Sequence, residues 1–323
     1  MPGVDRELEV GSRAHYEDPA YYTDTYGRRL DDVQFYVAQA VACGGPVLEY
    51  GVGNGRIAVP MARHGVRVTG VDHSAEMLDD LAARIASEPP EVRDRVQVVR
   101  GDMRTARVTG RFPLVICPFN AALHLYTRDD VERFFARVHA HLAPRGRFIV
   151  DLSIPSLEDL TRDPTRAYRA PRFRHPRVGV VRYVEHFDYD AFRQIMFVSM
   201  QFEPVDPKHP PFATPLAHRQ FFPQEWEALL HYNGFDVAKV SGDFYGGPLD
   251  RTSDVMVWTC IARRGAKAPR ANAAKSSRPA GTEKDKSREA RRPAPAESSR
   301  PAGKETGKSR EARRPAPAGE GRR

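Results

Sequence analysis

The chain has 323 residues, room for one large domain or two ordinary ones, and a formal net charge of +8. That charge is unevenly placed: residues 263–323 hold 19 Lys or Arg against 7 Asp or Glu and almost no large apolar residue, which leaves 31 basic and 35 acidic residues in 1–262. A nucleic-acid reading of the high isoelectric point therefore attaches to the tail and not to the folded part. The three cysteines, Cys43, Cys117 and Cys260, are far apart in apolar contexts, which excludes a paired zinc or redox motif and suits a reducing compartment. The start carries Asp5, Glu7 and Glu9 in place of a basic, then apolar, leader, and no apolar run approaches the ~20 residues of a membrane span. A cytoplasmic protein without a membrane span or a metal site is expected.

In chain order, 12–42 is rich in tyrosine and acid, with Tyr16, Tyr21, Tyr22 and Tyr26, and apolar residues recur at helical spacing from about Leu30. The pattern predicts an irregular arm and then a helix, placed to fold over a pocket as a lid. The stretch 47–56, VLEYGVGNGR, follows: a buried strand ending in an acid, then glycines at 51, 53 and 55 where the backbone turns sharply or meets a ligand closely, and then a helix. A second strand ends at Asp72, 23 residues beyond Glu49, the spacing of one crossover between parallel strands and the place where an acid meets a ribose diol. Ser74 caps a helix with Met77, Leu78 and Leu81 on one face. Strands at 96–100, 112–117 and 147–152 alternate with helices, so the segment reads as an α/β fold with a parallel sheet.

The alternation stops at 153. An arginine-rich entry at 162–177 leads into strand-like runs at 179–187, 192–203 and 215–222, a small antiparallel insertion. A helix through Trp226, Leu229 and Leu230 and two further strands complete a Rossmann-like, seven-stranded, mostly parallel sheet with helices on both faces. The domain limits read from this pattern are an arm and lid helix at 1–45, a cofactor-binding core at 46–152, the insertion at 153–222, the end of the core sheet at 223–262 and a basic tail at 263–323. The tail repeats itself, 276–297 recurring as 298–319, without any apolar face to bury, and disorder is expected there.

The glycine turn alone does not choose between ligands. A dinucleotide fingerprint puts its third glycine three residues after the second, and that position is Arg56. The pattern is instead acid, x, Gly, x, Gly, x, Gly, with Glu49 placed to hold a cationic or hydrogen-bond-donating group that a pyrophosphate could not replace.

Taken together, residues 30–152 resemble the class I S-adenosylmethionine-dependent methyltransferases, motif by motif and in the same order. The resemblance implies that Glu49, Gly51, Gly53 and Gly55 line the methionine half of S-adenosylmethionine, that Asp72 takes the ribose hydroxyls, and that Asp102 and Met103 bracket the adenine. His73 and Met77 join the cofactor set, Met77 being read also as core. Motif four is 117–121, with Pro118 and Phe119 beside the methyl group. Its sequence, CPFN, has one proline where methyltransferases of nucleic-acid bases and glutamine have two, which favours a small-molecule acceptor at N or O. Candidates for a general base are His124, Tyr22 and Glu185. The rival readings are a binding protein that does not turn over and an RNA- or protein-directed enzyme whose tail makes weak, nonspecific contact with nucleic acid or an anionic surface.

Overall fold

The computed structural model describes residues 5–263, so the tail repeat and its expected disorder lie outside the described residues. The arm, expected to be irregular, is helical: α1 (Arg6–Gly11), a single 3-10 turn at Ala14–Tyr16 and α2 (Pro19–Tyr26) precede the long helix α3 (Asp31–Cys43). The cause is local. Asp5 and Asp18 accept from the N–H groups of Leu8 and Tyr21, at 3.4 and 3.1 Å, and Pro19 takes the first helical position, where its missing N–H costs nothing.

The chain then runs β1 (Val47–Tyr50), α4 (Ala58–Arg63), β2 (Val68–Asp72), α5 (Ala75–Ala86), the short α6 (Pro90–Arg93), β3 (Val96–Arg100), β4 (Phe112–Cys117), α7 (Arg128–His141) and β5 (Leu142–Ser153). Ser74 caps α5, and Thr127 with Asp130 forms a reciprocal capping box on α7. After α8 (Leu157–Leu160) come β6 (Tyr168–His175), β7 (Gly179–Asp190), β8 (Ile195–Pro204) and β9 (Phe212–Arg219), then α9 (Pro223–Tyr232), β10 (Phe235–Ser241) and β11 (Val255–Ala262).

Two sheets result. The first has seven strands in the order β10-β11-β5-β4-β1-β2-β3, parallel except that β11 runs against both of its neighbours. Its central strands β1, β4 and β5 are buried on both faces, so their side chains alternate between two cores. Leu114, Ile116 and Ile149 point to the side of α3, α4 and α5, with Tyr36 and Met61; Val115, Cys117, Phe148 and Val150 point to the side of α7 and α9, with Phe134, Phe135 and Trp226. The second sheet, β6-β7-β8-β9, is antiparallel throughout and forms a third cluster in which Val181, Tyr183, Met200 and Phe202 pack with Tyr21 of α2. The helix α2 thus packs between the antiparallel sheet and the rest of the fold. The strand β6 lies within the stretch read only as an arginine-rich entry, because five of its alternate or neighbouring residues are basic or proline and hide the period of two.

Among the described residues no helix is long and apolar enough to cross a membrane.

Candidate active site

The parallel strands β1, β2, β3 and β4 end side by side, and the residues that follow each of them wall one pocket of about 610 Å³, open solvent included. Gly51 and Gly53 come from the end of β1, Asp72 and His73 from β2, Gly101 and Met103 from β3, and Pro118, Phe119 and Ala121 from β4. Val71 and Met77 complete the cofactor side. The 3-10 turn and α2 close the other side with Tyr16 and Tyr22, and His124 stands between them and the β4 loop.

Gly51 has φ +72°, and a Cβ there would sit 2.6 Å from that of Ala121, so the glycine lets the β1 loop and motif four touch. The carboxylate of Asp72 is held on both oxygens by backbone: Oδ2 accepts from Gly53 N–H at 2.8 Å and Oδ1 from Ser74 N–H at 2.9 Å. An acid fixed in this way is preorganised to receive a pair of hydroxyls. Glu49 is buried at 2 % exposure beside the wall rather than in it, and its Oε2 has no hydrogen-bond partner. Burial pushes this carboxyl far above the ordinary carboxylate range, an effect that Arg56 offsets only in part. A buried acceptor left alone costs about 1–3 kcal/mol, which a cation or donor arriving along Gly51 would recover.

Besides Glu49, two residues expected in the cofactor set, Gly55 and Asp102, lie outside the wall. Gly55 faces the helix layer: its φ is +79°, and a Cβ would come within 2.3 Å of Leu81 Cδ1, so it permits the loop to pack on α5. Asp102 is not in the wall; it is clasped by Arg104 through Nε at 2.9 Å, Nη2 at 2.5 Å and the backbone N–H at 2.8 Å, and Arg104 continues to Asp130. Burial raises the Asp102 carboxyl, but these bonds outweigh it and hold the group below its usual value. Gly101 and Met103 on either side of it do line the pocket. Met77, at 1 % exposure, is both core and wall.

Of the three base candidates, His124 and Tyr22 reach the pocket and Glu185 does not. Glu185 lies on β7, where its Oε1 accepts from the Tyr183 hydroxyl at 2.7 Å. The Tyr22 phenol is pushed up to about 12 by burial, against the pull of Arg56, and stays protonated near neutrality. His124 is drawn well below its ordinary value, by burial first and then by His218, His73 and His15, and is neutral.

The hydrogen bonds around His124 have only one consistent direction. The Tyr126 hydroxyl donates to the Ala217 carbonyl of β9 at 3.0 Å, since a carbonyl cannot donate. Its oxygen must then accept from His124 Nδ1–H at 3.1 Å, which leaves Nε2 of the neutral ring as an acceptor. Tyr16 therefore donates its proton to His124 Nε2, at 2.8 Å. The Tyr16 oxygen has no second proton, so toward the pocket it can only accept. Tyr16 was not singled out in the sequence; its signal was weak, one of four tyrosines in an arm without visible periodicity.

Motif four carries two further residues with positive φ, Phe119 at +54° and Asn120 at +64°. Both carboxylate oxygens of the buried Asp151 accept from Phe119 N–H, at 2.9 and 3.0 Å, and the Tyr36 hydroxyl donates to Asp151 Oδ1 at 2.6 Å. Asn120 is fixed by Ser153, whose N–H it accepts at 2.6 Å. The strain of this turn is thus offset by side chains from α3 and β5.

Residues 47–146 match the family model described as a methyltransferase domain. Over 210 residues the chain is 24 % identical to the "Putative methyltransferase YqeM" of Bacillus subtilis, covering 62 % of this chain and 77 % of that one. In fold it is similar to the CcbJ methyltransferase from Streptomyces caelestis, with a TM-score of 0.62 and 24 % identity over 72 % of this chain and 95 % of that one. It also resembles the glycopeptide N-methyltransferase MtfA complexed with sinefungin, with a TM-score of 0.50 and 25 % identity over 71 % and 86 % of the two chains. Residues 47–146 thus carry a methyltransferase domain, and the strand order and walled pocket give the chain the fold of the methyltransferases that it resembles.

Proposed function

We propose that the chain methylates an N or O atom of a small molecule, with Tyr16 and His124 as the pair that receives the acceptor's proton. When bound, S-adenosylmethionine supplies an electrophilic methyl group. The residues present suit it: the orphaned Glu49 Oε2 for its ammonium, the pinned Asp72 for its ribose hydroxyls, and Gly51, Gly53, Gly101, Met77 and Met103 for close apolar approach. Asp102 enters this set only if its clasp with Arg104 opens.

The observation that carries the acceptor side is the fixed direction of the Tyr126–His124–Tyr16 chain. Because Tyr16 can only accept, it orients a nucleophile through that nucleophile's own N–H or O–H. As the acceptor gives up this proton to the Tyr16 oxygen, Tyr16 passes its own to His124 Nε2, and the pair ends as a phenol beside an imidazolium. Proximity and alignment supply much of the remaining acceleration, because the methyl donor needs no further activation. The wall here is uncharged and aromatic, with Tyr16, Tyr22, Phe119 and His124, which suits a compact neutral acceptor. The likeness to a glycopeptide N-methyltransferase favours nitrogen as the atom methylated.

The test is to give purified protein methyl-labelled S-adenosylmethionine with the small-molecule and macromolecular fractions of a lysate, and to follow label by mass spectrometry. Label in a small molecule is expected. Label confined to RNA or protein would contradict the acceptor class, and S-adenosylhomocysteine failing to accumulate with any fraction would reduce the chain to a binding protein.

A further inference from the structure

The groups at the ends of successive strands follow the order of the cofactor's own parts. Glu49 lies near the end of β1 for the ammonium and Asp72 ends β2 for the ribose; β3 pairs with β2 on its far side, so the adenine falls at the end of β3, where Gly101 and Met103 line the pocket with Val71 and Met77. Of the three residues that follow β3, 101–103, only Asp102 has a side chain that accepts a strong hydrogen bond. It is the group of that turn suited to the 6-amino group of the base.

Its acceptor sites are already filled. Oδ1 takes the backbone N–H of Arg104 at 2.8 Å and Arg104 Nε at 2.9 Å, while Oδ2 takes Nε at 3.0 Å and Nη2 at 2.5 Å. A carboxylate offers about four lone-pair sites, so none is left for a ligand. The clasp has a second anchor. Arg104 Nη1 donates to Asp130 Oδ1 at 2.5 Å, and Asp130, 13 % exposed, is itself fixed at the start of α7, its Oδ2 accepting from Thr127 N–H at 3.0 Å and Thr127 Oγ1 at 2.8 Å. The turn is also closed along its backbone, the Asp102 carbonyl accepting from Thr105 N–H at 3.0 Å and Ala106 N–H at 2.7 Å.

Asp102 and Arg104 are 36 % and 37 % exposed, and water weakens the attraction between their charges, so geometry and the second anchor outweigh charge alone. A neutral amine brings the carboxylate one bond. The guanidinium brings three contacts from one planar fork and would have to leave two carboxylates to make room.

We propose that Arg104 is a specificity-determining residue of the cofactor site: it withdraws Asp102 from the base, so that adenine is held by shape between Val71, Met77, Gly101 and Met103, and a cofactor lacking the 6-amino group is accepted equally. The proposal rests on the cofactor reading above.

The experiment is calorimetric titration of the full chain with S-adenosylhomocysteine and with its 6-deamino analogue, which carries purine in place of adenine. The unaltered chain is expected to bind the two within about threefold of each other. R104A, a change at a partly exposed position that leaves the Thr127–Asp130 capping box in place, frees Asp102 and is expected to prefer S-adenosylhomocysteine by about tenfold or more, because a site that bonds an amine rejects the ligand without it. R104A/D102A is expected to lose that preference. A larger preference than threefold in the unaltered chain, equal binding of the two ligands by R104A, or a preference in R104A that persists in R104A/D102A would overturn the proposal. Failure of the unaltered chain to bind either ligand would overturn the cofactor reading and this proposal with it.

Discussion

Glu49 joins a buried carboxyl, an oxygen without a partner and a raised proton affinity. In the ligand-free protein it holds its proton to a higher pH than an ordinary carboxyl, because burial disfavours the charged form. An ammonium beside it reverses the preference, so cofactor binding releases a proton in the window between the ordinary and the raised value, and affinity climbs with pH across that window and levels off above it. Calorimetry in buffers of differing ionisation enthalpy should show the release, and E49Q should abolish it while weakening binding by about tenfold or more. On the acceptor side, Y16F and H124N are expected to lower kcat by about 10²–10⁴ with the acceptor that the labelling experiment reveals, and to leave S-adenosylhomocysteine affinity nearly unchanged. Because His124 is held well below its ordinary value, it remains a neutral base down through mildly acidic pH, and an activity limb at or above pH 6.5 belongs to another group, such as the acceptor amine.

At the scale of elements, the glycine loop serves two layers at once: Gly51 and Gly53 face the pocket while Gly55 lets α5 pack against the turn. G55A puts a methyl group onto Leu81 at a backbone angle that suits only glycine, and should cost about 1–3 kcal/mol through overpacking and strain, read as a fall of several degrees in Tm. Calorimetry on G55A should show cofactor affinity changing less than stability does. The sheet and most of its helices were legible because strands buried on both faces read as unbroken apolar runs between helical patterns, as in 112–117 and 147–152. Elements held by something other than apolar period were not. The arm is built of short turns capped by Asp5 and Asp18, and β6 carries Arg169, Arg172 and Arg174 on its exposed face, so its inward residues Ala170 and Phe173 are too few to show alternation. Within the site, the residues at strand ends could be read from spacing, whereas the reach of Arg104 to Asp130 and the chain from Ala217 to Tyr16 depend on links 26, 91 and 108 positions apart and leave no local pattern.

For the molecule as a whole, the parallel sheet presents one pocket wall at its carboxyl edge, and the antiparallel sheet holds α2, part of the other wall, from outside. Tyr21 of α2 stacks on His175 of β6 at 4.9 Å, Asp18 pairs with Arg177, and β9 anchors the chain of hydrogen bonds that ends at Tyr16. Both walls lie within 5–263, so removal of 264–323 is expected to leave cofactor affinity and turnover of a small-molecule acceptor unchanged, measured by calorimetry and by label transfer. A loss of turnover on removal that is largest at low salt and shrinks as salt is raised would instead point to an electrostatic anchor in the tail. The central claim, that the β1–β2 edge is the methyl-donor site, is tested most directly by titrating S-adenosylmethionine into the unaltered chain, D72A and G53V in a calorimeter. The account predicts that each substitution weakens binding by about tenfold or more, D72A by losing the fixed carboxylate and G53V by filling the space before Met77; unchanged affinity in both folded variants would contradict it.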